Sequence, residues 1–256
     1  MKMLIAALAA AAAMAGPLAP ARAETKTVLC PETDAMLQDD SLLGVMVEAA
    51  LNSSYTMAKD TDDGVDCLWP VQRLAYDGFD LLIMARGRVG GMGHGEAARL
   101  SAYIMRPDPS RPGLDGPGFV TAIPDFADVG TYGHPGELSA VKFGGHNGLV
   151  VRSVAVYQGF SFTDLSLFLL ENDRITAAEP LRIGAGNGGA AEEEKDIVEV
   201  EGRYDLDKPA AGRMTLTFAV TDKGQKRSET AVARLDGAKW VIESGALPKE
   251  LDEIGQ

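Results

Sequence analysis

The chain has 256 residues, of which 46% are hydrophobic and 24% are charged, a balance typical of globular proteins and unlike that of disordered or fibrous ones. Its formal net charge is −13. An acidic chain repels phosphate groups, which disfavours non-specific binding to nucleic acid and to an anionic membrane surface. No nucleic-acid partner is therefore expected.

The first 23 residues match the pattern of a secretory signal peptide. Lys2 supplies the positive start, residues 3–16 are an apolar and small-residue run, and Ala21-Arg22-Ala23 is a small-x-small cleavage site. The apolar run is shorter than the roughly 20 residues that a membrane span needs. The sequence therefore predicts a bacterial protein that is periplasmic or secreted, with a mature chain that begins at Glu24 and has no integral membrane segment.

Cys30 and Cys67 are the two cysteines of the chain. A disulfide is the expected state of such a pair in an oxidising compartment. The alternative is a pair of thiolate metal ligands, but the spacing matches no compact metal motif and no histidine lies between the cysteines. We predict a Cys30–Cys67 disulfide that ties the front of the first helix to the first strand.

Residues 34–52 are the one good helix candidate in the sequence. Thr33 or Asp34 can cap its first turn, and Gly44 weakens it by about 1 kcal/mol relative to alanine. Apolar residues recur there at the three-and-four spacing of a buried helix face, and they are Leu42, Val45, Met46 and Ala49.

From residue 68 onwards the pattern changes to short runs with a period of two. Residues 68–76 and 79–86 flank Asp77-Gly78, which is typical of a two-residue hairpin turn. Later strands are predicted at 98–105, 137–143, 149–157, 160–170, 174–183, 197–204, 213–220, 230–235 and 240–243. The turns recur at the spacing of sandwiches and barrels. We predict a mainly β fold, with antiparallel sandwich or barrel-like sheets and one N-terminal helix.

Residues 107–118 hold four prolines and three glycines, and this composition marks a linker or an exposed loop. We place a boundary there. The predicted units are a signal peptide at 1–23, a helix plus β-hairpin subdomain with the disulfide at 24–110, and an antiparallel β domain at 119–248.

The three histidines each follow a glycine, and two of them are close to a glutamate. His94 is two residues before Glu96, His134 is three residues before Glu137, and His146 adjoins a predicted strand. Three imidazoles, or two with a carboxylate, form an open catalytic zinc site when loops bring them together. No spacing matches a known zinc signature, and a compositional preference of His and Gly for turns is the alternative.

Arg86, Arg88 and Arg99 frame the glycine-rich connection at residues 87–95 in an otherwise acidic chain. Glycines allow unusual backbone angles and expose amide groups. These arginines are therefore a candidate surface for an anionic ligand or a protein partner, and an ordinary mobile hairpin end is the alternative.

Linear motifs of catalysis are missing from the sequence. It has no G-x-S-x-G elbow, and residues 184–189 match G-x-G-x-x-G without room for the helix that binds pyrophosphate. The sequence therefore favours a non-catalytic periplasmic binding or inhibitor module that acts on another periplasmic or envelope protein. The alternative is a metal-dependent hydrolase or metal-binding protein with zinc at the loop histidines, and no other cofactor is expected.

Overall fold

The computed structural model describes residues 26–107, 118–206 and 211–255. The predicted signal peptide, residues 1–23, lies outside these ranges. Within them the protein is mainly β, with two sheets and few helices, so the predicted fold class is confirmed. None of the helices in these ranges is long and apolar enough to cross a membrane.

Six strands form the first sheet: β1 Thr27–Leu29, β2 Tyr55–Met57, β3 Asp66–Tyr76, β4 Phe79–Arg88, β5 Ala98–Arg106 and β6 Phe119–Val129. They lie in the order β2-β1-β3-β4-β5-β6. β1 is parallel to both of its neighbours, and the other pairings are antiparallel. The predicted turn Asp77-Gly78 joins β3 to β4.

β6 is a strand that the sequence patterns missed. Pro124 and Asp125 interrupt its alternation, and Asp125 has a φ of 47°, a conformation that is uncommon outside glycine. The register between β5 and β6 shifts at this point, and the backbone N–H of Asp125 donates to the Ser101 hydroxyl at 3.1 Å. The first sheet therefore continues to Val129, past the predicted boundary at 107–118. The division into two domains stays a prediction.

The predicted helix is divided in two at Asp40, into α1 Thr33–Asp39 and α2 Ser41–Ala50. Asp40 has extended dihedral angles, and its carboxylate accepts hydrogen bonds from the N–H groups of Leu42 and Leu43, each at 3.0 Å. An aspartate in this position is a strong N-cap, so it begins a new helix. The buried face is also shifted by one residue from the prediction: Leu43, Met46 and Val47 are buried, and Leu42 and Val45 are exposed.

β1 lies beside β3 and brings the two cysteines together. Leu29 pairs with Leu68, and the adjacent residues Cys30 and Cys67 have Cα atoms 5.0 Å apart and form a disulfide. Both cysteines are buried. The predicted Cys30–Cys67 disulfide is therefore confirmed, and neither sulfur is free to act as a thiolate metal ligand.

The second sheet holds the remaining nine strands: β7 Glu137–Phe143, β8 His146–Tyr157, β9 Phe160–Glu171, β10 Arg174–Ala177, β11 Leu181–Gly186, β12 Val198–Asp205, β13 Arg213–Asp222, β14 Gln225–Asp236 and β15 Lys239–Gly245. Their order is β15-β14-β13-β12-β11-β9-β8-β7, with β10 paired to β9. Phe143 on β7 and Trp240 on β15 are in edge-to-face contact, with ring centroids 5.7 Å apart. Because β7 and β15 are the two outer strands, this contact shows that the sheet curls towards closure.

β8 and β9 are shared by two hydrophobic cores. One face of this pair, with Leu149 and Phe168, packs against the first sheet, and the other face, with Val150 and Leu167, packs inside the curled second sheet. The Tyr76 hydroxyl of β3 also donates to the Gly148 carbonyl at 2.7 Å. Burial on both faces explains why residues 149–151 and 167–170 are continuously apolar in sequence.

The short helix α3, Glu250–Glu253, is held to the second sheet by a buried carboxylate. Glu250 Oε2 accepts a hydrogen bond from Arg227 Nη2 at 2.7 Å. Burial raises the pKa of Glu250, but a backbone hydrogen bond and the Arg227 guanidinium outweigh this effect, so the pKa lies below its ordinary value. A carboxylate with a lowered folded-state pKa stabilises the fold above its unfolded pKa, and that contribution is lost as pH falls through the folded value.

We therefore expect Glu250→Gln to reduce the loss of stability on acidification below about pH 4.3, the ordinary glutamate pKa. Urea unfolding at a series of pH values measures this effect. Glu253→Gln on the same helix is the control, because Glu253 is exposed and its one ion-pair partner among the described residues is Lys249. Equal acid sensitivity of Glu250→Gln and the wild type would contradict the role of the Arg227–Glu250 contact.

Candidate functional site

Two cavities adjoin at one end of the first sheet. The first has a volume of about 400 Å³ and a charged lining. The second has a volume of about 200 Å³ and is lined mainly by apolar and aromatic side chains. Gly87, Arg88 and Met92 line both, so the two cavities are neighbours at this end of the sheet.

The strand register brings the three predicted arginines together in the first cavity. Arg86 on β4 lies opposite Arg99 on β5, and Arg88 is two residues further along β4 on the same face. Beyond them, Arg99 is paired in register with Asp128 on β6, and Arg88 with Asp66 on β3. Charged side chains of four adjacent strands therefore meet on one face of the sheet.

Each of these arginines is paired with a carboxylate. Arg99 contacts Asp128 at 3.0 Å, and the hydrogen bond and charge of Asp128 raise the pKa of Arg99. The remaining pairs are Arg86 with Asp125 at 3.7 Å, Arg88 with Asp66 at 3.6 Å, and Arg88 with Glu96 at 3.3 Å. The surface is therefore of mixed charge and not simply basic, and its role in binding a partner stays a prediction.

The second cavity is built against the disulfide. Cys30 and Trp69 line it, with Met36, Met92 and His134 nearby on its wall. Gly87 lets the Trp69 ring lie close to the sheet, since a Cβ at this position would be 3.3 Å from Trp69 Cδ1 and 3.5 Å from the Cys30 sulfur. The disulfide thus shapes this cavity as well as linking β1 to β3.

Three rings beside the second cavity form what we term the aromatic surface, which consists of His94, Tyr132 and Tyr157. The His94 ring centroid is 4.7 Å from that of Tyr132 and 6.3 Å from that of Tyr157. Tyr132 is 50% exposed and Tyr157 is 60% exposed. Large aromatic side chains are thus presented to solvent next to the second cavity.

Two glycine-rich loops hold the aromatic surface together. The N–H of Gly133 donates to the Glu96 carbonyl at 2.9 Å, and the Glu96 carboxylate accepts from the N–H of Gly93. Gly133 has a φ of 73°, and a Cβ there would collide with Met92. The positive φ and the missing side chain of Gly133 therefore favour the close approach of the two loops.

The structure places His94 and His134 at this end of the protein and His146 elsewhere. His94 contacts Tyr132, and His134 contacts Trp69 at a ring distance of 6.1 Å. His146 is at the opposite end of β8 from Tyr157 and pairs with Glu171 at 3.3 Å. At about 3.3 Å per residue, the twelve residues of β8 separate it from the aromatic surface by more than 30 Å.

The two predicted glutamate ligands also have other partners. Glu96 pairs with Arg88, and Glu137 pairs with Arg152 at 3.6 Å. Over residues 26–107, 118–206 and 211–255, no group of three or more His, Cys, Asp or Glu side chains is arranged to hold a metal ion. The metal-binding role of His94, His134, His146, Glu96 and Glu137 stays a prediction, and the length of β8 places His146 apart from the other two histidines.

Sequence reasoning identified the arginines and two of the histidines at this end of the protein but missed Trp69, Tyr132 and Tyr157. The available signal was the glycine pattern around Tyr132, since Gly130 and Gly133 both have positive φ and allow a tight turn that displays the ring. Tyr157 precedes the Gln158-Gly159 turn of the β8–β9 hairpin.

No family model, curated protein or solved structure matches this chain.

Proposed function

We propose that the protein is a non-catalytic binding or inhibitor module that acts on another protein of the bacterial periplasm or envelope. Its binding face is the aromatic surface together with the two adjoining cavities. The observation that carries this proposal is the concentration of Trp, Tyr, Met and Arg at one end of the molecule. These residue types are enriched in protein interfaces and in their energetic hot spots.

The expected place of action supports an extracytoplasmic partner. The Cys30–Cys67 disulfide is of the kind that persists in oxidising compartments such as the periplasm. The first 23 residues have the signal-peptide pattern described above. Both features agree with an exported protein that meets its partner outside the cytosol.

The layout of the binding face agrees with the general anatomy of protein interfaces. The second cavity and the exposed tyrosines provide an apolar centre, and the arginine–carboxylate pairs of the first cavity provide a polar rim. The net charge of −13 favours rapid encounter with a basic partner. We therefore expect the association rate to fall as salt concentration rises.

We expect Tyr132→Ala and Tyr157→Ala each to weaken partner binding by about 2 kcal/mol or more, the loss typical of an interfacial hot spot. Both side chains are at least half exposed, so thermal stability should change little. The measurement is capture from an envelope extract by the immobilised mature chain, followed by the dissociation constant of the captured protein for each variant.

Val241→Ala is the matched control for this experiment. Val241 is 39% exposed on β15, outside the binding face, and its substitution should leave capture unchanged. Equal capture by the wild type, Tyr132→Ala and Tyr157→Ala would contradict the proposed binding face. Absence of any specifically captured protein would contradict the proposed function itself.

A further inference from the structure

A third cavity, of about 470 Å³, lies on the second sheet and shares no lining residue with the first two. Its lining comes from β8, β9, β11 and β12 and includes Arg152, Ser161, Thr163, Glu201, Arg203 and Tyr204. The volume is within the range of about 300–1,000 Å³ that is typical of small-molecule sites. It does not depend on any residue of the protein-binding proposal.

Glycines keep this groove open. Gly184 lies in register between Thr163 on β9 and Glu201 on β12. Because glycine has no side chain, a gap is left between the side chains of Thr163 and Glu201. A Cβ on Gly184 would lie 3.0 Å from Thr163 Oγ1, and a Cβ on Gly202 would collide with the Ile183 carbonyl oxygen. The register shift at Arg182–Gly184 is a bulge that bends the sheet here.

Polar side chains of the groove are left without protein partners. Among the described residues, the side chains of Ser161, Thr163, Glu199, Glu201 and Arg203 make no hydrogen bond or ion pair with one another or with the rest. Arg203 in this group is unusual, because most other described arginines are paired with a carboxylate. The group leaves donors and acceptors available on both sides of a formed cavity.

The charges of the groove balance within a strongly acidic protein. Among the lining residues, Glu199 and Glu201 supply two carboxylates, and Arg203 and Arg152 supply two guanidinium groups, of which that of Arg152 also pairs with Glu137 at 3.6 Å. The glutamates would repel an anionic ligand, and the arginines would repel a cationic ligand. A neutral ligand that offers many donors and acceptors avoids both penalties and can satisfy carboxylates, guanidinium groups and hydroxyls together.

An apolar strip borders the polar groove. Val154 and Val156 on β8 lie in register with Thr163 and Ser161, so they share the same face of the sheet. Both valines are exposed. Tyr204 on β12 also lines the groove, and its side chain packs against the core of the second sheet. The groove therefore presents apolar surface beside hydrogen-bonding groups, which matches the C–H face and the hydroxyl edge of a sugar ring.

We propose that this groove binds a short neutral saccharide, with Glu199, Glu201, Arg152 and Arg203 hydrogen-bonding its hydroxyls and the valine strip contacting its ring face. The residues of this site are distinct from those of the protein-binding surface. The ligand class follows from the balanced charge, the unpartnered donors and acceptors, and the apolar border.

Saturation-transfer NMR and calorimetric titration of the full mature chain test this site with cellobiose, maltose and N,N′-diacetylchitobiose as neutral probes. Glucose 6-phosphate and glucosamine are the anionic and cationic comparisons. We expect millimolar or tighter binding of at least one neutral probe and weaker binding of both charged ones. Failure of all three neutral probes at millimolar concentration, or preferential binding of a charged probe, would overturn the proposal.

Variants locate the binding within the groove. Glu201→Ala should lower the affinity for the tightest-binding neutral probe by about tenfold, the effect of losing a hydrogen bond to a charged group. Thr163→Val should lower the same affinity severalfold. Neither side chain makes a hydrogen bond or ion pair within the described residues, so the melting temperature should be kept. Lys142→Ala, an exposed change on β7, should bind like the wild type, and so should Tyr132→Ala. Unchanged affinity in Glu201→Ala would refute the assignment.

Discussion

Replacement of both cysteines, Cys30→Ala with Cys67→Ala, is expected to lower the free energy of unfolding by about 3–4 kcal/mol. The bond joins residues separated by 37 positions, and the chain-entropy model assigns a loss of this size to a loop of that length. Urea unfolding of the wild type with and without reductant, beside the double variant, measures the effect. Reduced wild type and double variant should have nearly the same midpoint.

The same change should also affect binding, because Cys30 lines the second cavity and contacts the position of Gly87. We expect the double variant to bind the protein partner more weakly at temperatures where it is still folded. The saccharide groove is on the other sheet and should be unaffected. Equal unfolding midpoints for oxidised and reduced protein would contradict a stabilising role for the disulfide.

Phe168→Ala is expected to cost about 3–5 kcal/mol, the usual loss for truncating a buried phenylalanine. Phe168 on β9 packs edge to face with Phe126 on β6, with ring centroids 5.2 Å apart, and so joins the two sheets. Its removal leaves a cavity in the core that both sheets share. Val156→Ala, an exposed change on the neighbouring strand, is the control and should change stability by less than about 0.5 kcal/mol.

This variant also tests how the predicted subdomains unfold. Because residues of both sheets form the shared core, we expect one cooperative transition that moves to lower temperature as a whole. Calorimetry and far-ultraviolet circular dichroism should report the same midpoint. Two separate transitions, with only one shifted by Phe168→Ala, would show that the sheets unfold as independent units.

Local patterns were sufficient to predict the strands with clean alternation and the Asp77-Gly78 turn. The disulfide was predictable because the number of cysteines and the expected compartment left few alternatives. The convergence of Arg86, Arg88 and Arg99 was predictable in part, since they flank one hairpin connection. Strand pairing then decided that each arginine would also meet a carboxylate.

Features that depend on distant contacts were not predictable. β6 was missed because Pro124 and the positive φ of Asp125 break its alternation, and only pairing with β5 maintains the strand. The helix face was misassigned because Asp40 restarts the helix through its own cap. His146 was grouped with the other histidines because its place in the sequence does not show where β8 carries it. The twelve residues of β8 place His146 at the opposite end of the strand from Tyr157.

Site-specific photo-crosslinking in intact cells tests the proposed binding face most directly. A benzophenone amino acid is placed at Tyr132 or Tyr157, and at Val241 as the control position, and adducts are identified by mass spectrometry. We expect an adduct with the same envelope protein from positions 132 and 157 and none from position 241. No adduct from either tyrosine position, or an equal adduct from position 241, would contradict the proposed binding face.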